Sequence, residues 1–268
     1  MTIDEAQQDR ATSAVRWGAS KVPEVTVVFW VTKALTTAMG ESTSDFLVHH
    51  ISPVLAVGMG FVAFVAALVL QFSVRRYVPW VYWLAVSMVG VFGTMAADVL
   101  HVGLGVPYLV STAFFAVCLA AVFTIWHATE KTLSIHSIYT PRREVFYWAA
   151  VVSTFALGTA AGDMTAVTLH LGYLSSGLMF AAIIAIPAVG YWKFGLNPIL
   201  GFWFAYVVTR PLGASFADWM GVSHARGGLA WGTGPVSIAL ALLIVGFVIY
   251  ISATYDKASA SQPAHRRD

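Results

Sequence analysis

Charged residues are scarce in this sequence: only 10% of its 268 residues are Asp, Glu, Lys or Arg, whereas 58% are hydrophobic. Mean hydropathy is +0.74. Because soluble domains carry about 25% charged residues, a water-soluble globular fold is excluded. The apolar residues form runs of about 20, the length of a transmembrane helix. They lack the period-two alternation that is typical of outer-membrane strands.

Cysteine is nearly absent, which limits the chemistry of the chain. The single cysteine, Cys118, excludes an intramolecular disulfide and a thiolate-cluster metal site. The sequence also lacks an HExxH pair, a P-loop and the dinucleotide and nucleic-acid signatures. We therefore expect no nucleic-acid partner and no nucleotide chemistry.

The apolar runs predict an all-α polytopic membrane protein of eight transmembrane helices. The expected spans lie near 25–47, 52–72, 80–100, 107–127, 144–165, 172–193, 199–220 and 231–254. Prolines precede each odd-numbered span, where proline is tolerated in the first turn of a helix. They are Pro23, Pro79, Pro141 and Pro198.

The positive charges outside the predicted spans lie almost entirely on one side. That side holds Arg10, Arg16, Lys21, Arg75, Arg76, Lys131, Arg142, Arg143, Lys193, Lys257, Arg266 and Arg267. The opposite side holds only Arg226. The positive-inside rule therefore predicts that both termini face the cytoplasm, in a bacterial inner membrane.

A fixed pattern recurs in the odd-numbered spans: an aromatic residue, then Trp, with Gly ten positions after the Trp and Asp five positions after that Gly. Its four copies are Phe29, Trp30, Gly40 and Asp45; Tyr82, Trp83, Gly93 and Asp98; Tyr147, Trp148, Gly158 and Asp163; and Phe202, Trp203, Gly213 and Asp218. Four ungapped matches indicate duplication. Since each copy holds two spans, all copies are expected to cross the membrane in the same direction.

This pattern divides the chain into four repeats between polar ends. We expect a cytoplasmic N-terminus at 1–20, repeats at 21–77, 78–140, 141–196 and 197–254, and a cytoplasmic tail at 255–268. In this respect the chain resembles a family of uncharacterised bacterial membrane proteins with four tandem repeats, each of two transmembrane regions with a characteristic tryptophan. The resemblance covers residues 21 to about 254 and is strongest at 21–45. It implies the architecture and no particular activity.

Acidic and hydroxyl side chains share one face of the repeated helices, because residues four apart lie one turn above each other. The expected cation and metal ligands are Glu41, Asp45, Asp98, Asp163 and Asp218, with Thr94 and Thr159. Ala214 takes the equivalent place before Asp218, and the stripe in the first helix extends back through Thr37 to Lys33. Lys33 and Arg210 are expected to neutralise neighbouring carboxylates.

These five acids and two bases leave a formal excess of three negative charges inside the spans. Ionised carboxylates are costly in lipid, so we expect them to face the bundle interior and to bind protons or a cation. The preferred function is a transporter of a small cation, most of all a divalent metal such as Mn²⁺, which favours oxygen ligands. Proton-coupled export is the preferred direction. Lipid, the cation and protons are then the expected partners, and no obligatory cofactor is expected.

Histidines follow each repeated Asp and are weaker candidates for metal binding, because their spacing differs among the copies. They are His49, His50, His101 and His170, together with His224. Two other functions stay open: an intramembrane zinc-dependent hydrolase, and a scaffold or sensor in which the polar stripes only join helices. An enzyme is not preferred. The sequence is compatible with a homodimer, although no interface pattern indicates one.

Structural roles are also expected for the repeated residues. Each Asp is alternatively the cap of the next helix or a partner of nearby Trp and Thr groups. The repeated aromatic residues are expected in the interfacial belt of the membrane. The repeated glycines are expected to allow close helix approach, with a helix break at Gly40 as the alternative.

Overall fold

The structure is a computed structural model that describes residues 20–260, where the chain forms eight long α-helices and no β-strand. They are α1 (Val27–His50), α2 (Pro53–Ser73), α3 (Pro79–Asp98), α4 (Tyr108–Glu130), α5 (Pro141–Asp163), α6 (Tyr173–Phe194), α7 (Pro198–Gly221) and α8 (Thr233–Ala260). Each helix begins within three residues of its predicted start. The expected terminal segments at 1–20 and 255–268 lie largely outside the described residues.

Seven helices in this part of the chain, α2 to α8, are long and apolar enough to cross a membrane. The remaining helix, α1, has 24 residues but carries Lys33, Glu41 and Asp45. Short turns of other helix types follow the repeated helices: π-helical turns at Val99–Gly103 and Met164–Thr168 extend α3 and α5. The all-helical fold expected from the sequence is confirmed.

Local sequence explains where the helices begin. The side chain of Thr26 accepts a hydrogen bond from the backbone N–H of Phe29 at the start of α1, and Thr140 caps α5 in the same way. Asn197 caps α7. Proline occupies the first turn of α2, α3, α5 and α7, where its missing N–H would have had no partner.

The first helices of the four repeats form a closed ring. In this ring α1 packs on α3, α3 on α5, α5 on α7, and α7 returns to α1. The second helix of each repeat lies outside the ring and packs mainly on the first helix of the next repeat: α2 on α3, α4 on α5, α6 on α7, and α8 on α1. Each repeat therefore covers its neighbour, and the last repeat covers the first.

The repeated glycines bring the ring helices into close contact. Each one faces the residue that lies eight positions before the repeated Asp of the next repeat, in the order Gly40 to Gly90, Gly93 to Phe155, Gly158 to Arg210 and Gly213 to Thr37. A Cβ atom on Gly40 would lie 2.7 Å from the carbonyl carbon of Gly90. The expected packing role is confirmed, and α1 continues unbroken through Gly40.

The repeated aromatic residues close the same ring near the other end of its helices. The first aromatic residue of each repeat contacts the Trp of the next, with centroid distances of 5.6 Å (Phe29 and Trp83), 5.7 Å (Tyr82 and Trp148), 6.1 Å (Tyr147 and Trp203) and 5.6 Å (Phe202 and Trp30). Three of these tryptophans, Trp83, Trp148 and Trp203, are buried in the protein. The expectation of a lipid-facing belt was therefore wrong, because these rings join neighbouring repeats.

Candidate functional site

The four repeated aspartates lie at or near the C-terminal ends of the ring helices and form the group that we call the acidic mouth: Asp45, Asp98, Asp163 and Asp218. Asp218 is buried and the other three are half-buried. Their charges act on one another and on the charge of Glu41. The helices thus bring equivalent carboxylates from four repeats to one end of the ring, as the repeat pattern predicted.

Within residues 20–260, no hydrogen bond or salt bridge satisfies these four carboxylates. Asp98 and Asp163 stand at the starts of the π-helical turns, and neither side chain caps its turn. Ser52, which precedes α2, likewise makes no capping bond. The alternative structural role as a helix cap therefore finds no support in the described part of the chain.

Two tyrosines and one arginine surround the acidic mouth. Arg226, in the turn His224–Arg226, donates to the hydroxyl of Tyr173 at 2.5 Å, and its charge acts on Asp45, Asp163 and Asp218. Tyr108 lies near enough to be affected by Asp98 and Asp163. Sequence reasoning missed both tyrosines, although each is the first residue of its helix, α4 or α6, and lies ten positions after the repeated Asp of its repeat.

The same four helices bury a second group of residues, which we call the axial column. It consists of the residues at 4, 8, 12 and 16 positions before each repeated Asp. Starting beside the acidic mouth, its four layers are Glu41, Thr94, Thr159 and Ala214; Thr37, Gly90, Phe155 and Arg210; Lys33, Val86, Val151 and Tyr206; and Phe29, Tyr82, Tyr147 and Phe202. All are buried except Phe202, which is half-buried.

Arg210 joins all four repeats inside the axial column. Its guanidinium group is buried and forms a salt bridge of 2.6 Å with Glu41 of the first repeat. It donates to Thr94 of the second repeat and, at 2.7 Å, to Thr159 of the third. It also donates to the backbone carbonyl of Thr37 at 3.0 Å. The fourth repeat therefore supplies a cation where the other three supply oxygen atoms.

This arrangement defines the roles of three residues that were expected to bind a metal. Glu41, Thr94 and Thr159 contact Arg210, and Thr94 also donates to Glu41 at 3.3 Å. The expectation that Arg210 neutralises a neighbouring carboxylate agrees with this salt bridge. Gly158 explains how the large side chain fits, since a Cβ atom there would collide with the Arg210 side chain.

Lys33 has a different environment from the one expected. Its side chain is fully buried, and its amine has no hydrogen-bond partner within the described part of the chain. The Nζ atom lies 4.0 Å from the centre of the Phe155 ring and 4.3 Å from that of Tyr206. Lys33 therefore contacts aromatic faces, and among residues 20–260 it forms no salt bridge with a carboxylate. The sequence held a signal for this environment: Tyr206, like Lys33, lies twelve positions before its repeated Asp, and Phe155 lies eight positions before Asp163.

Tyrosine hydroxyl groups lie in the layer next to Lys33. Tyr82 and Tyr147 share a hydrogen bond of 2.5 Å between their hydroxyl oxygens. The hydroxyl of the neighbouring Tyr206 has no partner by hydrogen-bond geometry within residues 20–260. A line of polar groups thus runs along the ring axis from the acidic mouth through Arg210 and Lys33 to these tyrosines.

The histidines are dispersed and do not form a shared site. His49 and His50 are exposed, and each bonds a backbone carbonyl of its own helix. His101 contacts the hydroxyl of Ser111, and His224 bonds a nearby backbone carbonyl. His170 is exposed. Among residues 20–260, no three His, Cys, Asp or Glu side chains are grouped closely enough to hold a metal ion together.

The comparisons with known proteins identify the family to which the repeats belong. The repeats at 28–77, 81–132, 146–195 and 201–255 match a family described as Repeat of Unknown Function (DUF347). No curated protein and no solved structure matches the chain. Since the four matches cover most of the 268 residues, the chain belongs to this repeat family.

Proposed function

We propose that the protein is a multi-pass transporter of a small cation, most of all a divalent metal such as Mn²⁺, with protons as the counter-ion. The observation that carries this proposal is the acidic mouth. Four carboxylates that act on one another's charges have no donor in the described protein. Such a group requires protons or a positively charged guest to balance it.

The nature of the guest follows from the side chains of the acidic mouth. Carboxylate oxygens are hard ligands, which favour Mg²⁺ or Mn²⁺ over metals that prefer sulfur or imidazole. The charges of these carboxylates act on one another, although within residues 20–260 no three of them are grouped closely enough to hold a metal ion together. We therefore propose that the ion keeps part of its water shell, as Mg²⁺ usually does in protein sites.

The structure changes the ligand set that we propose. Glu41, Thr94 and Thr159 already bond the guanidinium group of Arg210. For this reason we do not propose them as ligands of the transported cation. We therefore assign the cation to Asp45, Asp98, Asp163 and Asp218. That His49, His50, His101 and His170 are additional ligands stays a prediction. Arg226 competes with the cation in this proposal, because its charge acts on the same carboxylates.

The proposal includes eight transmembrane helices in a bacterial inner membrane, with both termini in the cytoplasm. For α1, the support is its 24-residue length and the burial of Lys33 and Glu41 inside the bundle, which removes their charges from lipid. For the orientation, the support is the lopsided distribution of Lys and Arg. Four of those cations, Arg10, Arg16, Arg266 and Arg267, lie outside the described residues. Proton-coupled export and a homodimer stay predictions.

Ion flux in proteoliposomes tests the proposal. Wild-type protein is assayed for movement of Mn²⁺, Mg²⁺, Co²⁺, Zn²⁺ and protons beside Asp98→Asn and Asp163→Asn, which keep the shape of the side chain and remove its charge. We expect each variant to lower the initial rate of Mn²⁺ flux about tenfold or more, since losing one charged ligand weakens binding by at least about 1.4 kcal/mol.

A matched control separates the acidic mouth from acidic residues in general. Glu24 is exposed and lies before α1, so Glu24→Gln is expected to transport as the wild type does. Flux that is unchanged in correctly folded Asp98→Asn and Asp163→Asn would show that the acidic mouth is not on the pathway. An absence of flux for every cation in wild-type protein would refute the transporter proposal itself.

A further inference from the structure

Lys33 is the buried group that neither the packing nor the cation site explains. It stands in the first helix of the ring, twelve residues before Asp45. Its side chain is fully buried, and its amine has no hydrogen-bond acceptor among the described residues. A long polar side chain in such a place is costly to keep, so a purely structural role would be served better by an apolar residue.

The charge that acts on Lys33 is that of another cation, Arg210. Arg210 faces it from α7, and Glu41, the acid nearest to Arg210, is already held by Arg210 at 2.6 Å. The other titratable group that faces it is Tyr206 from α7, and Tyr147 from α5 and Tyr82 from α3 occupy the next layer of the axial column. An ammonium ion would therefore have a like charge beside it and no carboxylate of its own.

The aromatic rings give the amine a second state. Phe155 and Tyr206 place their faces 4.0 Å and 4.3 Å from Nζ. Ring faces attract cations, and the attraction is strongest in sites without water. The same surroundings thus leave the amine without a carboxylate partner among the described residues and still support an ammonium ion when the nearby charge becomes more negative.

Tyrosine side chains lie between the amine and the N-terminal ends of the ring helices. The Tyr206 ring contacts Nζ, and the bonded hydroxyl groups of Tyr82 and Tyr147 occupy the next layer of the axial column. Tyrosine hydroxyl groups both donate and accept hydrogen bonds, so they are suited to pass a proton along a line. Tyr77, in the loop between α2 and α3, has its ring centre 5.8 Å from that of Tyr82, and among the described residues neither the Tyr77 nor the Tyr206 hydroxyl has a hydrogen-bond partner.

We infer that the Lys33 amine, with the hydroxyl groups of Tyr206, Tyr147 and Tyr82, is the proton-binding site that couples proton movement to the cation in the acidic mouth. This inference rests on the proposed transport function. The step binds one proton to the amine lone pair and later releases it, and no other bond changes.

The coupling is electrostatic and reciprocal. A proton on Lys33 is stabilised by the negative charge of the acidic mouth, and a cation bound there removes that charge. Each ligand therefore weakens the binding of the other, which is the requirement for exchange of protons against a cation. The charge of Arg210 acts on Lys33 and on three aspartates of the acidic mouth.

The test measures protons and Mn²⁺ in the same proteoliposomes, with a dye for internal pH and a second dye for Mn²⁺. In Lys33→Met we expect the number of protons moved per Mn²⁺ to fall about tenfold. Lys193 is exposed at the end of α6, and Lys193→Met is expected to keep the wild-type ratio. Tyr206→Phe keeps the ring beside the amine, removes the hydroxyl and should slow proton movement several-fold.

A second measurement does not depend on transport. Wild-type protein carrying ¹³C at the lysine ε-carbons is titrated from about pH 5 to about pH 9, and the resonance that is missing in Lys33→Met is assigned to Lys33. We expect this resonance to titrate and to shift when Mn²⁺ is added. A resonance that stays fixed at every pH overturns the inference, as does an unchanged ratio of protons to Mn²⁺ in Lys33→Met. A titrating Lys33 in a protein that moves no cation would refute the transporter proposal and leave the proton site standing.

Discussion

The acidic mouth carries Asp in all four repeats, whereas the layers of the axial column differ from one repeat to the next. Only the first repeat has Glu41 and Lys33, and only the fourth has Arg210. The two regions are built by the same four helices and lie next to each other. Duplication therefore supplied the carboxylates as a set, and later divergence supplied the charges that separate one repeat from another.

This comparison shows what each region requires from the fold. The acidic mouth needs only that the repeated helices run parallel at one level, which the glycine and aromatic contacts between neighbouring repeats provide. The axial column needs its repeats to differ, because one guanidinium group has to bond oxygen atoms from three different helices. We expect changes in the axial column to affect stability and changes in the acidic mouth to affect cation movement.

The largest expected effect comes from removing the cation of the axial column. Arg210→Met leaves Glu41 buried without its partner, which costs about 3–5 kcal/mol of unfolding free energy. Denaturant unfolding in detergent micelles measures this loss. The double variant Glu41→Gln with Arg210→Met is expected to recover part of it, because no unpaired charge remains. If Arg210→Met were as stable as the wild type, the salt bridge would not hold the repeats together.

Much of the fold was predictable from the sequence, because apolar runs and the fourfold pattern are local features. Because the four copies were predicted to cross the membrane in the same direction, the sequence also indicated that the repeated Asp residues lie at one level of the bundle. Other features depend on contacts between repeats. The tryptophan pattern is the same for a lipid-facing belt and for a buried ring, and only the position of the neighbouring helix distinguishes the two.

The network around Arg210 shows a second limit of sequence reasoning. Glu41, Thr94 and Thr159 were expected to face a cation, and they do face one, but it is a side chain of the protein. Arg210 lies one turn before Ala214 on α7, and the space it fills depends on the lack of a side chain at Gly158. The space is formed by α5 and α7 together, so the sequence of neither helix alone predicts that Arg210 fills it.

A smaller effect is expected where the ring closes between the last and the first repeat. In Gly213→Ala, the new Cβ atom would collide with the side chain of Thr37 and lie 3.0 Å from the backbone nitrogen of Ala38. Overpacking of this kind costs about 1–3 kcal/mol of unfolding free energy. Gly58→Ala is the matched control, since nothing lies within 4 Å of its Cβ position in α2. Equal unfolding curves for the two variants would contradict the proposed closing of the ring by glycine contacts.

The smallest effect is expected in the aromatic layer, where the bonded hydroxyl groups of Tyr82 and Tyr147 are uncharged. Tyr82→Phe leaves the Tyr147 hydroxyl buried without this partner and should cost about 1 kcal/mol of unfolding free energy. Adding Tyr147→Phe removes the unsatisfied group, so the double variant should be nearly as stable as the wild type. Unfolding in detergent micelles measures both. If the double variant instead loses the sum of the two single losses, each hydroxyl group must contact something other than its partner. The hydrogen bond between Tyr82 and Tyr147 would then not be what stabilises this layer.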